Sequence, residues 1–71
     1  MENQERLNVF KNMAAADPEN ELAHFSLGKV QFELGDAGAA EQSFRRVLEL
    51  NARHSQAHRF LGETLLRQGK K

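Results

Sequence analysis

The chain has 71 residues, in which ten Lys and Arg balance ten Asp and Glu, with one proline and no cysteine, tryptophan or tyrosine. A balanced charge offers no field that would draw in nucleic acid or an anionic membrane, and without cysteine there are no disulfides or thiolate metal sites. No apolar run reaches the length of a membrane span, and a single core in so short a chain supplies only about 3–5 kcal/mol.

One small domain, 1–71, is therefore expected. The polar start of mixed charge argues against a signal peptide. The missing thiols fit a reducing compartment, so a cytoplasmic location is expected. Ala, Leu, Glu, Gln and Arg dominate, all good helix formers, while the β-branched apolar residues are only Val9, Val30 and Val47. The chain reads as all-α.

Met1 to Ala16 reads as a first helix, with Leu7, Phe10, Met13 and Ala14 on one face and Asn3 as its expected N-cap. Asp17-Pro18 ends it, because proline restricts the residue before it and cannot continue the turn. Pro18-Glu19-Asn20 opens a second helix running to about Leu34. Ala23, Leu27, Val30 and Leu34 make one apolar stripe; Leu22, Phe25 and Phe32 make another, interrupted by Lys29. A helix apolar on two sides packs against two surfaces, or packs on one and offers the other to a partner. Gly35 supplies the left-handed stop. Asp36 caps a third helix that runs to about Leu50. Ala40, Phe44, Val47 and Leu48 form its inner face, and Asn51 is expected to end it in the left-handed conformation. His54 or Ser55 starts a fourth helix ending at Gly69, with Ala57, Leu61 and Thr64 repeating the first stripe of the second helix and Phe60 and Leu65 as further apolar positions.

The second and fourth helices share a pattern. His24, Leu27, Gly28 and Gly35 return at one constant spacing as His58, Leu61, Gly62 and Gly69, and Phe10 returns at the same spacing as Phe44. A fixed period of that size marks a repeat architecture. Short turns between four helices make antiparallel neighbours. Gly28 and Ala40 allow close approach between paired helices, with Phe44 filling the gap, so a larger residue at Gly28 should overpack the contact.

The ordered set His24, Leu27, Gly28, Gln31, Gly35, Ala40, Phe44, Val47 and Ala52 resembles the tetratricopeptide repeat, a helix–turn–helix unit whose length matches the period from Gly28 to Gly62. The set departs from the family pattern in places. His24 and His58 replace an aromatic, Gln31 a large apolar residue and Ala52 a proline. The resemblance implies a helix-turn-helix α-solenoid array, divided into 1–17 (the trailing helix of a preceding repeat), 21–54 (a complete repeat) and 55–71 (the first helix of a next repeat). Within the family the opening is similar to small bacterial repeat proteins, some of them joined to an iron-trafficking domain; no iron ligand set is present here.

The family resemblance implies a non-enzymatic protein–protein interaction scaffold that receives a peptide in a concave groove. The matching positions are Leu22, Phe25, Lys29, Phe32 and Glu33, then Gln56, Arg59, Glu63, Leu66 and Arg67. The family's carboxylate clamp needs Lys and Asn where Phe25, Arg59, Lys29 and Glu63 stand, so a chaperone-tail ligand is not implied. The bland alternative is that Phe25 and Phe32 are core residues.

Other chemistry has little footing. His54 and His58, four apart, could share a helix face as metal ligands, which gives an alternative reading as a metal-linked or enzyme-accessory domain, but no third ligand lies nearby. Glu33 and Glu63 are single carboxylates and Ser26 has no base beside it, so no catalytic residue, cofactor site or metal site is assigned. Arg45, Arg46, Arg53, Arg59 and Arg67 are interleaved with Glu41, Glu49 and Glu63, which describes a mixed solvated face and no nucleic-acid partner.

Roughly three repeat units are normally needed to bury a continuous core. His58, Leu61, Gly62 and Leu65 are therefore expected to face nothing within one copy, and Leu7, Phe10 and Met13 to be covered on one side only. Two explanations follow: a homo-oligomer in which the fourth helix meets an exposed end of another copy, or a piece of a longer repeat protein.

Overall fold

The computed structural model describes residues 2–69, and those residues form four α-helices and no strand. They are α1 (Glu2–Ala16), α2 (Glu21–Glu33), α3 (Ala37–Leu50) and α4 (Ser55–Arg67). Met1, the expected start of the first helix, lies outside the described residues, as do Lys70 and Lys71.

Each helix boundary has a local chemical cause. Asn20 and Asp36 cap α2 and α3, their side-chain oxygens accepting from the backbone N–H of Ala23 (3.1 Å) and Ala39 (3.2 Å). At the end of α2 the Gly35 N–H donates to Phe32 O and the Asp36 N–H to Gln31 O, closing the two hydrogen bonds of a Schellman motif. Gly35 (φ 84°) and Gly69 (φ 75°) sit in the left-handed region that this stop requires.

Two caps differ from expectation. Asn3 lies inside the first turn of α1, where its Oδ1 accepts from the Arg6 guanidinium at 3.4 Å instead of capping the backbone. Asn51 ends α3 in extended backbone (φ −150°, ψ 93°), not the left-handed form. Its side chain is committed elsewhere. The amide donates to Glu21 at 3.1 Å and its oxygen accepts from the Arg53 N–H at 3.1 Å, tying the end of α3 to the start of α2.

The helices form an array, not a closed bundle. α1 packs on α2, α2 on α3 and α3 on α4; α2 also touches α4, while α1 and α4 do not meet. The result is a slab with Cα extents of 32 × 28 × 14 Å. Two apolar clusters fill it. Ala14, Ala23 and Leu27, with Leu7 and Phe10 against them, join α1 to α2. Phe25, Ala40, Phe44, Val47 and Ala57, with Phe32, Leu48, Phe60 and Leu61 against them, join α2, α3 and α4.

At Gly28 the helices approach closely. A Cβ there would meet the ring of Phe44 at 2.7 Å, so the small residue is what lets α3 seat on α2. At Gly62, the same position one period on, a Cβ would meet nothing within 4 Å among the described residues.

Leu61 does not face empty space as expected. It is half-buried and packs against the second cluster, beside Leu48 at the edge of α3. The register explains this: Leu27, its counterpart, packs back on α1 beside Ala14, so Leu61 packs back on α3. Met13, by contrast, is exposed, and Leu7 and Phe10 are half-buried, as one-sided cover requires. Leu34 is exposed at the end of α2 and does not extend its inner stripe.

Candidate partner-binding surface

The face shared by α2 and α4 is built on a cluster of rings. Phe60 is the hub. It stacks on Phe44 (centroids 5.5 Å apart) and meets Phe25 (5.7 Å) and Phe32 (6.2 Å) edge-on. In the sequence Phe60 stands out only as an extra apolar position. The signal for its role is that it occupies the register of Ser26 one period on, next to the repeated stripe rather than on it.

Phe25 belongs to the core beneath this face rather than to its surface. It is 7% exposed, packed against Phe44 and Phe60, with the His54 imidazole 4.7 Å away. The other residues expected in a groove are accessible to different degrees. Leu22 (67% exposed) and Leu66 (72%) stand in solvent, Lys29, Arg59 and Glu63 are exposed, and Phe32 is half-buried. Phe32, Glu63, Leu66 and Arg67 line a shallow concavity of about 390 Å³.

Cations border the rings. The Arg67 guanidinium lies 4.5 Å from the Phe32 centroid, Arg59 lies 5.6 Å from Phe60, and the Lys29 ammonium lies 5.4 Å from Phe25 and 6.0 Å from Phe60. Each such contact at an exposed site is worth about 0.5–1 kcal/mol. Among the described residues these three cations have no carboxylate partner, whereas Arg45 pairs with Glu41 and Arg46 with Glu49, both at 2.9 Å, on α3. Arg45 and Arg46 on α3 are thus neutralised, as is Arg6 by Glu33, whereas Arg59 and Arg67 on the α2–α4 face are not paired among the described residues.

The histidines are occupied in the backbone. His54 is the N-cap of α4, its Nδ1 accepting from the Ala57 N–H at 3.0 Å; its Nε2 therefore carries the proton and lies 3.6 Å from Glu21. His24 Nε2 donates to Pro18 O (2.9 Å) and His58 Nε2 to Ala52 O (2.8 Å). In both repeats the imidazole thus ties down a loop carbonyl in the turn before its helix. Among the described residues no three His, Asp or Glu side chains gather as a metal would need.

Of the residues expected to face nothing within one copy, three lie on the outer side of α4 and one does not. Gly62 and His58 are exposed and Leu65 is half-buried, while Leu61 is taken up by α3. No helix of the described residues is long and apolar enough to cross a membrane.

A family model described as tetratricopeptide repeat matches the chain over residues 7–51 and again over 25–71. A comparison with the curated proteins returns no match.

Proposed function

The chain belongs to the tetratricopeptide repeat family, whose members generally mediate protein–protein interaction, and on that premise we propose that it is a non-enzymatic binding module reading a peptide on its α2–α4 face. In this reading residues 1–17, 21–54 and 55–71 are a trailing helix, a complete repeat and the first helix of a next one. The bound segment carries apolar side chains and carboxylates. The apolar groups lie on Leu22, Phe32 and Leu66, and the carboxylates meet Lys29, Arg59 and Arg67.

The supporting observation is the contrast in charge between the two faces. The cations of α3 are paired, and the three on the α2–α4 face rest on rings and form no ion pair among the described residues, with Glu63 in the same concavity as Arg67. Cations already ordered by ring contacts lose less side-chain freedom when an anion arrives, which favours binding.

Display of random peptides against the chain tests this. Segments combining Asp or Glu with Leu, Phe or Trp should be enriched, and Lys29→Glu with Arg67→Glu should reverse the charge preference. Enrichment indifferent to the double substitution would remove the α2–α4 face from consideration.

A further inference from the structure

We propose that a second copy of this chain docks its α1 on the open face of α4, in the same register in which α3 sits on α2, so that α4 and the incoming α1 complete a repeat between two molecules. This is independent of the peptide reading and stands or falls separately.

The internal α2–α3 contact is the template. On α3 the residues turned inward are Ala40, Ser43, Phe44 and Val47, all buried. Their counterparts one period earlier, on α1, are Arg6, Val9, Phe10 and Met13, of which Phe10 is half-buried and the others are exposed. On α2 the receiving residues are Gly28, under the Phe44 ring, and Gln31, whose Oε1 accepts from the Ser43 hydroxyl at 2.6 Å. Their counterparts on α4 are Gly62, with nothing within 4 Å of its Cβ position, and the half-buried Leu65. One half of the same contact is therefore open at each end of the array.

The two open halves match each other in polarity. The hydrogen-bonded pair Gln31–Ser43 becomes Leu65 and Val9, both apolar. The same joint change occurs within the chain. Gln68 donates to Glu41 at 2.8 Å across α4 and α3, and the corresponding pair across α2 and α1 is Leu34 and Leu7, which line one cavity. One period apart, then, a hydrogen-bonded polar pair stands where two leucines border a common cavity. Val9 and Leu65 are likewise an apolar pair, held apart on one molecule because α1 and α4 do not touch. At the helix ends, Asn51 donating to Glu21 becomes Asp17 facing Ser55, whose hydroxyl can donate to the carboxylate.

One residue limits the contact. Arg6 stands where the template has fully buried Ala40, with its guanidinium 3.7 Å from Glu33. The side chain must swing outward as α1 docks, so association is weak and Arg6→Ala tightens it. The contact is heterologous, and copies add head to tail without an intrinsic stop at two.

Sedimentation across a concentration series tests this. The weight-average mass of the unmodified chain should climb beyond two copies as concentration rises. Val9→Glu and Leu65→Glu, with helicity checked by circular dichroism, should each be monomeric, but mixed in equal amounts they should form pairs and nothing larger, because each retains one intact end. Gly62→Ala, whose methyl meets none of the described residues of its own chain, should weaken association ~10-fold or more by lifting Phe10 off the helix. A monomer at every concentration, a mass that stops at two copies, or a mixture that fails to pair would each overturn the proposal.

Discussion

Gly28 and Gly62 are equivalent in register and opposite in surroundings, so the same substitution should have opposite effects on the two. At Gly28 the added methyl meets a Phe44 ring that cannot yield, because Phe60 stacks on it and Phe25 stands beside it. Overpacking of that kind costs about 1–3 kcal/mol, more than the helix gains from alanine, so Gly28→Ala should lower the denaturation midpoint in urea. At Gly62 only the helix preference remains, and Gly62→Ala should raise stability by about 1 kcal/mol in dilute solution. His54 is a third residue with a definite task. His54→Ala removes the acceptor for the Ala57 N–H and the ring beside Phe25, and should cost about 0.5–2 kcal/mol in the same titration, whereas His54→Asn keeps a capping oxygen and should recover much of it.

Among the elements, α2 is covered by three others and α1 by one. Local opening follows burial, so amide exchange should be slowest in α2 and α3, with α1 losing protection first in dilute solution. Uniform protection across the helices would contradict this picture of an array held from its centre. The number and order of the helices were legible because turn chemistry at Pro18, Gly35, Asp36 and Gly69 is local and needs only neighbours in sequence. Phe44 over Gly28 was legible because the tetratricopeptide resemblance implies that an aromatic on one helix fills the gap left by a glycine on the helix before it. The burial of Phe25 was not. A helix apolar on two sides does not say which side a later helix covers, and the answer depends on Phe60, which arrives from α4. Nor was the role of Asn51 visible, since its amide is claimed by Glu21, far back along the chain, and that contact overrides the local preference for a left-handed stop. On the candidate binding face the identities of Leu22, Lys29, Phe32 and Leu66 could be read from the sequence, but the pairing of each cation with a ring required the packing of α4 on α2.

For the molecule as a whole, folding and association are linked through the ends of the array. Anything that binds the folded chain and not the unfolded one raises its apparent stability, and a second copy does so increasingly with concentration. The thermal midpoint of the unmodified chain should therefore rise with protein concentration. Gly62→Ala separates the two contributions. In dilute solution its helix is better than the original, and a gain of about 1 kcal/mol corresponds to roughly 4–8 °C in a domain of this size. As concentration rises the unmodified chain gains stability from docking α1 over Gly62, and the variant, whose methyl holds Phe10 away, gains little. The two midpoint curves should converge and can cross. Arg6→Ala should steepen the dependence, because the obstacle at the Ala40-equivalent position is gone. Parallel curves for all three chains would show that Gly62 faces only solvent, and that the shared register of α2 and α4 serves the peptide face alone.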